Sequence, residues 1–225
     1  MKFKFLCSTS NPSNQHTVGN KFMKLRFASV VKLVLLFSAF QVSADPQVIN
    51  GCTIKPKTQC PGVSLVNADL AKANLVGANL AGANLTGANL SGAHLKGSKL
   101  SFAVLIEVNF QRANLVKADL KETSLNFANL SSANLTGANL QYSVLESAKF
   151  TDAILVKADL HGADLTHTDL TNANLSGANL TAVDLSTAIQ AGTNFADTTT
   201  SKAQIPERGS VSAKLLKRSL LNESR

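Results

Sequence analysis

The apolar residues of this chain recur with a period of five over more than half of its length. From Leu65 to Leu185 every fifth residue is Leu, except Phe110 and Phe150, so 25 units follow one another without an insertion. We describe each unit by its central residue, i. The residue at i−2 is Ala in 18 units, and the residue at i−1 is Asn or Asp in 17. Apolar and polar positions therefore repeat together from unit to unit.

A period of five predicts a chain that turns once in every unit. Five residues of α-helix rotate a side chain by about 500°, so the leucines would spread around the whole helix. In a flat strand, residues five apart point to opposite faces. The leucines can share one core only if each unit is a short extended segment followed by a turn. Strand alternation then directs i−2 and i inward, and i−1, i+1 and i+2 outward.

Position i+2 is where we expect the turn. A type II turn needs a positive φ at its third residue, which Gly supplies without steric cost. No proline interrupts residues 62–205, where it would remove a hydrogen-bond donor. Eight units have Gly at i+2: Gly77, Gly82, Gly87, Gly92, Gly97, Gly137, Gly162 and Gly177. In six consecutive units we instead expect a turn without positive φ: those with Phe102, Glu107, Arg112, Lys117, Glu122 and Phe127.

The stretch "ADLAKANLVGANLAGANLTGANL" resembles the pentapeptide-repeat family, whose motif is A(D/N)LXX. The resemblance covers residues 63–187. It implies an all-β fold, a right-handed quadrilateral β-helix with four units per coil. The rod would have about six coils and a length of roughly 30 Å, at about 4.8 Å per coil. Residues 188–225 would hold degenerate last repeats and a C-terminal tail.

Residues 23–44, "MKLRFASVVKLVLLFSAFQVSA", have the layout of a secretory signal peptide. A basic start precedes a short apolar run, and small residues follow at the expected cleavage site after Ala44. The run is shorter than the roughly 20 residues that span a bilayer, although an uncleaved anchor is an alternative. Residues 1–22 are then an unstructured upstream extension before Met23. We expect a bacterial protein exported to the periplasm or beyond, without stable membrane insertion once the signal is removed.

Cys52 and Cys60 lie between the signal and the repeats, in residues 45–62. In an exported protein two cysteines this close most often form a disulfide. The loop is short, so the expected stabilisation is about 2 kcal/mol. We expect this segment to cap the first coil. No His or second Cys pair lies nearby to complete a metal site, and we expect neither metal nor cofactor.

The formal charge of +8 lies mainly at the two ends of the chain. Residues 61–190 carry eight Lys or Arg against ten Asp or Glu, so we expect no nucleic-acid partner. Some members of the family are DNA-mimicking inhibitors of type II topoisomerases. That alternative requires a strongly acidic, cytosolic rod, and the near-neutral repeats and the signal peptide disfavour it.

The repeats contain no pattern typical of an enzyme. Their three histidines, His94, His161 and His167, all fall at outward positions. The acids Asp159, Asp164 and Asp169 occupy i−1, the ordinary Asn/Asp site, and are expected to be structural. We therefore expect a non-enzymatic structural or protein-interaction module with an unidentified protein partner.

One surface is a candidate for binding that partner. With four units per coil, positions 20 apart stack, which places Val104 and Val144 two coils apart on one face. Ile106 shares that face, and Phe102 and Tyr142 line its entering corner. Together they would form an outward apolar stripe. The alternative is that they are scattered surface hydrophobic residues.

The tail "SAKLLKRSLLNESR" has the spacing of a short amphipathic helix. Leu215, Leu216, Leu220 and Leu221 would lie on one side of it. Three alternatives follow: a helix that covers the last coil, a helix that pairs with a second copy to form a homodimer, or a disordered tail.

Overall fold

The computed structural model describes residues 46–200, and it opens with a small antiparallel pair of strands. Strand β1 (Val48–Ile49) pairs with β2 (Cys52–Thr53), with Val48 opposite Thr53. From there each pentapeptide contains one turn and one isolated β-bridge up to residue 200. The predicted signal peptide (23–44), the upstream extension (1–22) and the tail helix lie outside the described residues.

Parallel bridges join each extended segment to the segment 20 residues further on. The first is Gln59↔Asn79 and the last is Asn179↔Thr199. Because each period of 20 residues contains four turns, the solenoid has four faces. The bridges begin before residue 63 and continue past residue 187, the predicted bounds of the repeats. The predicted all-β solenoid is confirmed.

The unit of Leu75 illustrates how the backbone is held. Its N–H donates to the carbonyl of His94 in the next coil at 2.8 Å, and the Gly77 N–H donates to Lys96 at 2.9 Å. Within the unit, the Ala78 N–H donates to the Leu75 carbonyl at 3.0 Å and closes the turn. Gly77, the third residue of the turn, has φ 64°. This is the predicted type II geometry.

The prediction that six consecutive corners avoid positive φ is wrong. All six are left-handed: Phe102 (φ 61°), Glu107 (57°), Arg112 (58°), Lys117 (56°), Glu122 (55°) and Phe127 (59°). The reason is the stacking of coils. Each corner N–H donates to the coil below, as Phe102 does to Lys121 at 3.0 Å, so another turn would break the ladder. The side chains therefore bear a conformational cost of about 1–2 kcal/mol each.

Thr187 is the exception that shows the limit of this rule. Of the i+2 residues from Lys57 to Asp197, it is the one without a positive φ, and also the one with a β-branched side chain. Such side chains are the least tolerant of the left-handed region. The His167 N–H donates to the Thr187 Oγ1 at 3.0 Å instead of to a backbone carbonyl. The neighbouring rung between Asp164 and Asp184 is missing from the ladder.

The core is a stack of leucines. From Leu65 to Leu185 the central residues are at most 1% exposed, and Ala at i−2 fills the space beside them. Phe110 and Phe150 are fully buried and lie two coils apart in one column, with Leu130 between them. Burying one such side chain contributes about 1.5–3 kcal/mol. The core, not the surface, therefore supplies most of the stability.

Hydroxyl groups at i−2 are accommodated by a carbonyl of the same turn. Ser143 Oγ donates to the Leu140 carbonyl at 2.7 Å, and Thr123 Oγ1 donates to Leu120 at the same distance. Ser98 Oγ is equally buried but has no hydrogen-bond partner. A buried polar atom without a partner is unfavourable.

Replacing Ser98 by Ala is therefore expected to stabilise the protein by up to about 1 kcal/mol, because no hydrogen bond is lost. Ser143→Ala is the matched variant, and it should destabilise by about 0.5–1.5 kcal/mol. Chemical denaturation of both variants measures the difference. Equal effects in the two would contradict this account.

The N-terminal segment packs against the start of the core. A disulfide joins Cys52 to Cys60, with their Cα atoms 5.7 Å apart, and Cys52 is 1% exposed. Asn50 Nδ2 donates to the Ser64 carbonyl at 2.6 Å, and the Lys57 N–H donates to Val76 at 2.8 Å. The cap is thus tied to the first coil by a covalent bond and by backbone contacts.

Across residues 46–200, no helix has the length and apolar character needed to cross a membrane.

Candidate partner surface

The Asn and Asp residues at i−1 have a structural role that the sequence did not reveal. In each unit the side-chain Oδ1 accepts the backbone N–H of i+1, as Asn134 does from Thr136 at 3.0 Å. Many also join neighbouring coils: Asn179 Nδ2 donates to Asp159 Oδ1 at 2.9 Å. Asp159 and Asp164 are therefore occupied as turn acceptors. In the described part of the chain, no group of three or more His, Cys, Asp or Glu could hold a metal ion.

Asp169 is the acid most strongly held in such a turn. Its Oδ1 accepts from the Thr171 hydroxyl at 2.5 Å and from the Thr171 N–H at 2.9 Å, and Thr151 donates to Oδ2 at 3.2 Å. The Thr171 hydroxyl, with smaller help from the other donors and Lys149, outweighs burial and holds the pKa of Asp169 below its ordinary 3.8.

Asp169→Asn is expected to reduce the loss of stability in acid. A carboxylate with a lowered folded pKa adds stability above its unfolded pKa, and that stability is lost as the pH falls through the folded value. The stability that the Asp169 carboxylate contributes is therefore lost at pH values below about 4. The measurement is Tm at about pH 7 and about pH 3. Asp184→Asn controls for the change of charge, and an equal acid sensitivity in both variants would oppose the role of Asp169.

The five predicted surface residues lie on one face and its entering corner. We call this the front face, and the name includes the turn at each of its two edges. Phe102 is 60% exposed, Tyr142 51% and Val144 37%, while Val104 and Ile106 are half-buried. The front face comprises the units centred on Leu65, Leu85, Leu105, Leu125, Leu145, Leu165 and Leu185.

The register brings the predicted residues into two columns. Val104 pairs with Ser124, and Ser124 pairs with Val144, so the two valines stand in one column with a serine between them. Phe102 and Tyr142 are similarly separated by Glu122, which forms an ion pair with Lys121 at 3.5 Å. The stripe is thus interrupted by one polar coil.

Phe127 belongs to the same surface and was missed by the sequence-based assignment. It is 58% exposed and stands at the leaving corner of the front face, in the coil between those of Phe102 and Tyr142. It could have been found by applying the period of 20 to both corners rather than to one. With Phe127 the apolar groups extend across the full width of the face.

The ring of Tyr142 is held in place by its neighbours. It lies edge-on to His161, with ring centroids 5.2 Å apart, and Lys121 Nζ is 6.0 Å from its centroid. A Cβ added at Gly162 would come within 2.8 Å of the Tyr142 ring. The ring therefore covers the glycine of the next coil, which fixes its position on the surface.

Gly162→Ala is expected to destabilise the protein more than Gly82→Ala. Both glycines have a positive φ, so each variant bears strain of about 1 kcal/mol. A Cβ at Gly82 would meet nothing within 4 Å, whereas at Gly162 it would displace the Tyr142 ring. Denaturation with and without a Tyr142→Ala background measures the coupling. If Gly162→Ala and Gly82→Ala destabilise the protein equally, the Tyr142 ring does not rest on Gly162.

Solved structures with a similar fold include two trypsin-treated variants of QnrB1, a plasmid-mediated fluoroquinolone resistance protein. One gives 18% identity and a TM-score of 0.58, covering 72% of this chain and 95% of that chain. The other gives 16% identity and a TM-score of 0.54, covering 76% and 96%. The pentapeptide repeat protein alr5209 from Nostoc Pcc 7120 is 33% identical over 45% of this chain and 81% of its own, with a TM-score of 0.40.

A search of curated proteins found no match to the sequence. The family profile for pentapeptide repeats matches in 8 copies, over residues 64–101, 103–141, 128–166 and 158–189. Together these matches take in more than half of the 225 residues. The chain therefore belongs to the pentapeptide-repeat family.

Proposed function

We propose that this protein is an exported, non-enzymatic interaction module that binds a protein partner through its front face. The observation that carries the proposal is the placement of three aromatic side chains. Phe102, Phe127 and Tyr142 are each at least half exposed, and each stands at a corner with positive φ. Such an arrangement is unfavourable twice, once in backbone conformation and once in exposure of apolar surface.

The other corners show that the fold itself does not require aromatic residues there. In the column of Phe102 and Tyr142, Gly62, Gly82 and Gly162 adopt the same φ without strain, and Glu122 and Ala182 hold the other two positions. Backbone strain held against an easy alternative is typical of functional sites. A rigid ladder also presents these side chains in fixed positions, which lowers the entropy lost on binding.

Export is the second part of the proposal, and two observations support it. Residues 23–44 have the layout of a signal peptide. The disulfide between Cys52 and Cys60 is of a kind that forms and persists in oxidising compartments. We propose that the rod is right-handed, as in the resemblance, with coils about 4.8 Å apart.

Site-specific photocrosslinking in living cells tests the proposal. A benzoylphenylalanine at Phe102 should capture a protein partner, whereas the same group at Ile189, 55% exposed on another face, should not. Fractionation of the same cells should find the product outside the cytosol and shortened at its N-terminus. Equal capture at both positions would overturn the partner surface, and a full-length cytosolic product would overturn export.

The alternative is a DNA-mimicking inhibitor of a type II topoisomerase. The fold shared with QnrB1, a fluoroquinolone resistance protein, favours it, although at 18% identity the likeness extends to the fold alone. The charge opposes it, because residues 46–200 carry ten Lys or Arg against eleven Asp or Glu. Inhibition of DNA supercoiling by the purified protein would favour this function over the first.

A further inference from the structure

We propose that the partner of the front face is the opposite face of a second copy of this chain, so that rods associate side by side. The inference rests on the proposed function, because it takes the front face to be a binding surface and names its occupant. We call the opposite side the back face, and this name also includes the turn at each of its two edges. Its units are centred on Leu75, Leu95, Leu115, Leu135, Leu155, Leu175 and Phe195.

The front face is acidic as well as apolar. From residue 61 to 187, the outward positions of this face and of its two turns contain one base, Lys121, which forms an ion pair with Glu122. Their acids are Glu107, Glu122, Glu146, Asp164 and Asp184. A partner for this face should therefore present apolar groups between positive charges.

The back face of the same chain has that composition. Val76 is 36% exposed and Ile154 is 40% exposed, and Val116 and Val156 are half-buried beside them. The bases in its columns are Lys57, Lys72, Lys96, Arg112, Lys117 and Lys157, against the acids Asp152 and Asp197. The two opposite faces are thus complementary in charge, and both carry apolar side chains.

Within residues 46–200, these charges are not neutralised by ion pairs, except that of Glu122. Lys121 with Glu122 is the one ion pair that residues 46–200 form. Glu107, Lys117 and Lys157 are exposed at corners and form no ion pair with another residue of the described part of the chain. They are therefore available to a neighbouring molecule.

The order of the charges favours antiparallel rods. When the unit of Leu105 faces that of Leu155, Val104 and Glu107 meet the unit of Ile154 and Lys157. The same alignment places the unit of Glu146 opposite that of Lys117, and the unit of Asp164 opposite that of Lys96. A parallel alignment that likewise pairs all seven coils leaves Asp164 and Asp184 opposite the units of Leu175 and Phe195, which carry no bases. Both faces have the same coil spacing, so the match continues along the rod.

An interface between two different faces does not close on itself. Each added copy presents a free front or back face to the next copy, which gives an open row rather than a dimer. The mean mass in solution should therefore rise steadily with protein concentration. It should fall in about 0.5 M salt, which screens charges at the edges of the interface.

Charge reversal in the full chain tests the proposal by analytical ultracentrifugation. The front variant is Glu107→Lys with Glu146→Lys, and the back variant is Lys117→Glu with Lys157→Glu. Lys and Glu both stand at positive-φ corners in this protein, so the corner changes keep the fold. Each variant alone should be monomeric, and an equal mixture should associate again, because reversed front faces meet reversed back faces. Lys99→Glu is the control, because Lys99 is exposed on a side face between the front and back faces. This variant should associate as the wild type does.

A monomeric wild type at all concentrations would overturn the inference, as would variants that associate as Lys99→Glu does. A monomeric chain that still crosslinks from Phe102 to a different protein would overturn this inference alone and leave the proposed function standing. If the chain neither associates nor crosslinks from Phe102, both are overturned. Loss of association in the front variant only, with no rescue in the mixture, would instead indicate a symmetric contact between front faces and would also overturn the inference.

Discussion

Replacing Leu130 by Ala is expected to lower the free energy of unfolding by about 3–4 kcal/mol, the largest effect of any single change considered for this protein. Leu130 is completely buried, and its column places it between the rings of Phe110 and Phe150. The two rings belong to coils fixed by backbone ladders on all four faces, so they cannot move together to fill the space. The cavity would therefore remain, and its cost adds to the lost burial of the side chain.

The measurement is equilibrium denaturation, with Val66→Ala as the control. Val66 is 45% exposed at an outward position, so its truncation should change stability by less than about 0.5 kcal/mol. In a solenoid each coil contacts only its neighbours, so the Leu130 variant should also separate the unfolding of the two halves. A loss below about 1 kcal/mol would show that the stacked column does not act as a rigid core.

The inward positions could be predicted from the sequence because one physical requirement determines them. Twenty-three leucines and two phenylalanines at a fixed spacing can share a core only if the chain turns in every unit. The register of 20 came from the family resemblance, and the bridge from Val104 through Ser124 to Val144 agrees with it. Periodicity thus determined which residues face inward, and the family resemblance determined which residues stack.

The corners could not be predicted in the same way. Judged one residue at a time, Phe102 or Glu107 should avoid a positive φ, but the hydrogen bonds of adjacent coils fix the corner whatever residue occupies it. Only Thr187, which is β-branched, departs from the rule. The role of Asn at i−1 was missed for a related reason, because its hydrogen bond to i+1 depends on the turn and not on the period.

The surface was predicted only in part, since it depends on both corners of a face. The sequence-based assignment followed the entering corner and found Phe102 and Tyr142, but it did not follow the leaving corner, where Phe127 lies. The complementary charges of the two opposite faces become visible only when each residue is assigned to a column. A surface property spread over several coils requires the three-dimensional register.

Phe102→Gly and Phe127→Gly are expected to stabilise the isolated protein. They should also weaken the association between copies of the chain at least tenfold. Glycine removes left-handed strain of about 1–2 kcal/mol. It loses about 0.5–1 kcal/mol to its greater freedom in the unfolded chain, so the net gain is about 0.5–1 kcal/mol per site. Aromatic side chains are frequent among the interface residues whose truncation costs more than about 1.4 kcal/mol, which is a tenfold change in affinity.

Opposite effects on stability and association would separate a functional role from a structural one, because a residue kept only for the fold would not stabilise the protein on removal. Denaturation measures the first effect and ultracentrifugation the second. Ser132→Gly is the matched control, since Ser132 has φ 58° but contributes no apolar group. It should share the gain in stability and associate as the wild type does. If the two Phe variants lose stability, the rings pack on the rod itself, and the strain at these corners would then have a structural explanation.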